Sequence, residues 1–243
     1  MMRTANPALN DRVFRTAPAA ASSGGVMTLE GTVNKSILAV GITAAAAWWS
    51  FSNPQMAAFA LPGAIVGFIV GLVLCFAKTW APILTPVYAV AQGLFLGALS
   101  LMFETKYPGI VFQAIALTFG TLFALLMAYK SKLIPVTQNF KLGLVAATGG
   151  IAVMYLIAMV MSLFGSPVSF LNSASPLSIG ISFVVVIVAA LNLVLDFDFI
   201  EEGARSGNLP KYMEWYGAFG LLVTLVWLYV EILRLLSKLN ERR

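Results

Sequence analysis

The segment ALNLVLDFDFIEEGA, residues 190–204, places four of the chain's ten acidic residues, Asp196, Asp198, Glu201 and Glu202, within seven positions at the end of a hydrocarbon run. Carboxylates beside apolar side chains resist ionisation, and as hard oxygen donors they suit a proton or calcium better than a soft metal. If one helix continues through LDFDFIEE until Gly203 ends it, Asn192 and Asp196 lie four apart on one face. Asp198 and Glu202 then share a different face. Glu201 and Glu202 read as a solvated helix end balancing Arg205 and Lys211. Asp198 is ambiguous, and Asp196, set among Val, Ile and Leu, is the candidate proton sensor or calcium ligand.

Other chemistry is narrowed by what the chain lacks. It has no histidine and a single cysteine, Cys75, which removes Ser-His and Cys-His nucleophiles, zinc-protease helices, cysteine zinc clusters and an intrachain disulfide. An aspartyl protease needs two aspartates facing each other across helices, whereas Asp196 and Asp198 share one helix and point about 200° apart. No enzyme and no cofactor is therefore expected. The net charge of +5 is scattered, with no basic stripe for nucleic acid.

The elements that must position Asp196 follow from composition. Sixty per cent of the 243 residues are hydrophobic and only 10% are charged, and the apolar residues fall in blocks of about twenty. Seven segments result, at 36–52, 57–77, 83–103, 109–129, 142–164, 176–196 and 214–236, joined by short breaks such as SNPQ and TKYPG. The expected fold is all-α, a polytopic membrane bundle of seven transmembrane helices in one domain over 35–243, embedded in a lipid bilayer. Residues 1–34, rich in Ala, Ser, Gly and Pro, read as a flexible cytosolic tail with no signal core.

With the N-terminus inside, ten Lys and Arg fall on the inner side and five on the outer, which favours that orientation. The basic C-terminus runs against the trend, and six spans with one re-entrant segment would place both ends inside. Small residues at four-residue spacing, Gly63, Gly67 and Gly71 in the second segment and Gly93 and Gly97 in the third, mark close helix packing. Gln92, Gln113, Asn192 and Glu231 also lie inside spans, and the amides read as bridges between helices.

The block AALNLVLDFDFIEEGA, with KYMEWYGAFGLLVTLVWLYVEILRLLSKL after it and PILTPVYAVAQGLFLGALS and YPGIVFQAIALTFGTLFALLMAYKS before it, resembles the bacterial Bax inhibitor-1/YccA family over residues 27–240. The resemblance implies a seven-helix fold with the last helix surrounded by the other six. It also implies a pH-sensitive calcium leak governed by a pair of aspartates on the last two helices. Asp196 matches the first of that pair, and Thr224 stands where the second acid is expected. Thr cannot share a proton as a carboxylate can, which weakens pair gating. Glu231, seven residues beyond Thr224, is available on the same face or pairs with Arg234. Two functions follow: a calcium or cation leak using Asp196, or a membrane regulator binding a membrane protease or another membrane protein through its tail. A bacterial inner membrane is the location this resemblance implies.

Overall fold

The computed structural model describes residues 25–164 and 173–242, all of them helical or in short connections. Seven α-helices form among the described residues: α1 (Leu29–Ser52), α2 (Ala60–Phe76), α3 (Ala81–Lys106), α4 (Ile110–Lys130), α5 (Gln138–Leu163), α6 (Pro176–Ser206) and α7 (Met213–Glu241). Among the described residues, α3 to α7 are each long and apolar enough to cross a membrane, while α2 is apolar but only 17 residues long. The protein is thus an all-helical, polytopic membrane bundle.

Local chemistry sets the helix ends. Thr28, Thr137 and Ser175 each accept a hydrogen bond from a backbone N–H in the first turn, capping α1, α5 and α6. Pro176 opens α6 where a missing N–H is harmless. The expected stop at Gly203 is corrected: α6 runs on to Ser206 and ends at Gly207, whose φ of 63° is the left-handed cap conformation. Gly203 stays helical and buried, where a Cβ would stand 3.2 Å from Leu209 and 3.3 Å from the Met27 sulfur.

The expected tail is also corrected at its boundary. Residues 29–34 belong to α1, and Met27, only 2% exposed, is held by its N–H donating to the Leu209 carbonyl at 2.8 Å. Polar composition misled the expectation here, because Thr28, Thr32 and Ser36 spend their hydroxyls within α1 and on Glu214. Residues 1–24 lie outside the described residues.

Helix α7 is the central one: 56% of its apolar window is buried, against 6% for α5. It packs along α1, α3, α4 and α6; Val70 and Leu74 of α2 share a core cluster with its Phe219, and Tyr155 of α5 bonds its Glu231. One core cluster, with Met27, Phe199, Ile200, Tyr216 and Phe219, closes the end where α6 turns into α7. A second, with Leu193, Leu225, Leu228, Ile232 and Ile110, fills the other half. Helix α5 leans on α6 through Leu144, Val188 and Leu195.

Candidate functional site

The α6–α7 seam holds the acid singled out by sequence. Leu193 packs in one cluster with Leu225 and Leu228, and Ile200 approaches within 3.3 Å of where a Cβ on Gly217 would stand. These residues precede Asp196 by three and follow it by four, so Asp196 shares their α7-facing side. It is 1% exposed, deep between the two core clusters. Across the seam, Thr224 is 4% exposed and donates its hydroxyl to the Gly220 carbonyl of its own helix at 3.3 Å. A threonine hydroxyl occupied in this way supplies a neutral oxygen rather than a second negative charge.

Asn192, 5% exposed, donates from Nδ2 to Thr148 Oγ1 of α5 at 2.9 Å and to the Val188 carbonyl at 2.8 Å. It ties α5 to α6. No group of three or more His, Cys, Asp or Glu side chains able to cage a metal occurs among the described residues. Calcium would meet at this place one carboxylate and neutral oxygens, a weak site suited to a passing ion rather than a resident one.

Asp198 faces away from Asp196. Its carboxylate pairs with Lys141 of α5 at 2.5 Å, and Glu202 stands 3.9 Å from the same ammonium. The four-residue spacing thus gathers both acids on one cation. Glu201 pairs with Arg205 and accepts from the Tyr129 hydroxyl of α4 at 2.6 Å. The acidic end of α6 is therefore a set of ties to α4 and α5. Lys141 is only 8% exposed, which separates it from a loop cation.

Glu231, 2% exposed, accepts from the Tyr155 hydroxyl at 3.0 Å and pairs with Arg234 at 3.1 Å. Arg234 also donates to the Tyr155 oxygen at 2.7 Å and stacks over that ring. This i, i+3 pair with its tyrosine lies about 10 Å along α7 from Thr224 and leaves Glu231 already neutralised. One turn further, Lys238 is 5% exposed and donates to Ser178 at 2.8 Å and Ser182 at 2.7 Å, both on α6.

Sequence reasoning missed Glu214. It is fully buried on the first turn of α7, accepts from the Thr28 N–H at 3.0 Å and hydroxyl at 2.8 Å, and forms an ion pair with Lys35. Gly31 leaves room for it, since a Cβ there would collide with the carboxylate. The available signal was an acid at the first position of an apolar segment, where a helix N-terminus favours negative charge.

The glycines sit at the helix contacts. A Cβ on Gly63 would lie 2.9 Å from the Ala91 carbonyl, and one on Gly67 would strike the Gln92 amide, so these two bring α2 against α3. Gly93 and Gly97 bring α3 against the backbone of α1 at Thr43 and Ala47. Gly71 differs, with Tyr88 at 3.7 Å and Phe219 at 3.9 Å, an ordinary contact distance. Gln92 is 9% exposed in the Gly67 groove, whereas Gln113 is exposed.

No curated protein and no solved structure matches the chain. The model of the family described as Bax inhibitor 1 like matches residues 6–241, nearly the whole sequence. A seven-helix bundle with its last helix at the centre and a buried acid on the sixth helix is thus the form of a protein that belongs to the Bax inhibitor 1 like family.

Proposed function

We propose that this protein is a proton-sensitive cation leak in a bacterial inner membrane, with the α6–α7 seam as its path and Asp196 as its sensor. The burial of Asp196, at 1% exposure on the α7-facing side of a membrane helix, carries this reading. A carboxylate there is costly unless its charge is used, and protonation or a passing cation removes the cost. The residues 25–28 end of the bundle, which gathers Lys78, Lys130, Lys132, Lys141, Arg205 and Lys211, is the cytosolic end in this reading. Protein reconstituted into calcium-loaded liposomes should release calcium faster than empty liposomes, and Asp196→Asn should abolish the pH dependence. Absence of release at every pH from about 5 to 8 overturns the leak.

A second reading, a regulator that binds a membrane protease or another membrane protein, is favoured by α5. Only 6% of its apolar window is buried, and Gly143, Gly149 and Gly150 open onto nothing within 4 Å. Such a face suits close approach by a foreign helix. Gly149→Leu combined with Gly150→Leu should abolish co-purification of a membrane partner while leaving calcium release unchanged.

A further inference from the structure

The bundle is open on one flank. Helices α1 and α4 share no packed seam, and the gap between them leads into a cavity of about 480 Å³ backed by α7 and α3. That volume lies in the range of roughly 300–1,000 Å³ typical of small-molecule sites. Its hydroxyls are spent inside the protein. Thr43 donates to the Ala39 carbonyl at 3.0 Å, Thr118 to the Ala114 carbonyl at 2.7 Å, and Ser100 meets the Leu96 carbonyl at 2.6 Å and the Tyr229 hydroxyl at 2.7 Å. A polar ligand would lose its hydration there and gain no hydrogen bond in return.

Three observations identify an occupant. The mouth runs lengthwise between two membrane helices, at exposed Ala44, Trp48, Ile115 and Phe119, so it opens sideways. Its depth is that of one leaflet: Val40 to Phe51 on α1 covers about 16 Å and Val111 to Phe119 on α4 about 12 Å, near half of a hydrocarbon core of roughly 30 Å. The cavity starts beside the α3–α4 turn, where Lys106 is exposed, a cation at the level a lipid phosphate occupies.

We propose that this cavity binds one acyl chain of a bilayer phospholipid, which enters between α1 and α4 with its phosphate near Lys106. The chain would lie against Leu222, Leu225 and Tyr229 of α7. The inference is independent of whether the protein conducts ions.

The full chain, delipidated in mild detergent, is incubated with palmitoyl-oleoyl-phosphatidylglycerol and analysed by native mass spectrometry. One retained lipid per chain is expected. Ile115→Trp, at the exposed mouth, should lower retention at least about tenfold, and Ala64→Trp on the α2 flank should leave it unchanged. A phosphatidylglycerol with a photoreactive acyl tail should label the peptides spanning 40–51 and 111–119, a readout that needs no variant. Retention equal in Ile115→Trp and wild type, or labelling confined to other helices, overturns the proposal. So does a dimer in light scattering that Ile115→Trp dissociates, since a second copy would then fill the gap.

Discussion

Glu214 of α7 and Lys35 of α1 form an ion pair across the bundle, between residues 179 positions apart in the chain. The carboxylate is shut from solvent and also takes two hydrogen bonds from Thr28, so one acid joins the first helix, its cap and the last helix. Removing one partner of a buried pair leaves an uncompensated charge, which costs about 3–5 kcal/mol. Lys35→Ala should lower the unfolding midpoint in detergent accordingly, and Glu214→Gln, which keeps acceptors for Thr28, should cost less than Glu214→Ala. Gly31→Ala should resemble the pair's loss, because its methyl displaces the carboxylate.

The glycines divide into two classes that a stability scan separates. Gly93→Ala and Gly97→Ala force α3 away from α1 and should cost about 1–3 kcal/mol each. Gly71→Ala meets only ordinary contacts, and its midpoint should match the wild type.

Lys238 reaches two hydroxyls, Ser178 and Ser182, at the far end of the seam from Glu214. Hydrogen bonds to a buried charge are worth about 1.5–3 kcal/mol, so Ser178→Ala with Ser182→Ala should destabilise by at least that much. Lys238→Met, of similar shape and without the charge, should be neutral or more stable than wild type in the same melt. Loss of stability in Lys238→Met would show that the ammonium has a carboxylate-like partner in solution.

Asn192 and Thr148 should show coupling in a double-mutant cycle of Asn192→Leu and Thr148→Val. Hydrogen bonds between membrane helices average about 0.6 kcal/mol by this measure. Additive effects would mean that α5 is held by Lys141, Tyr155 and its apolar contacts without help from this bond.

Thr224 tests the absence of a second acid. In calcium-loaded liposomes Thr224→Asp should steepen the pH dependence of release, because two carboxylates within reach titrate as a coupled pair. An unchanged slope would place Thr224 out of reach of Asp196.

The seven helices were legible in the sequence because lipid demands runs of about twenty apolar residues, and turns between such runs carry Pro, Gly and Asn. The expected segments 57–77, 83–103, 109–129, 142–164, 176–196 and 214–236 each overlap an observed helix. The starts of α1 and the end of α6 were less legible, since polar residues that bond within the protein read as loop. The rest depended on which helices lie side by side. Hydropathy reports burial in lipid or protein alike, so it does not say that Lys141 meets Asp198, that Lys35 meets Glu214, or that Lys238 turns inward to Ser178 and Ser182. Glycine spacing marked a close approach but not the partner, which for Gly67 is Gln92 and for Gly97 is Ala47. Nor did any local pattern announce the gap between α1 and α4. A cavity is a property of helices that fail to meet, and only the tertiary arrangement decides that.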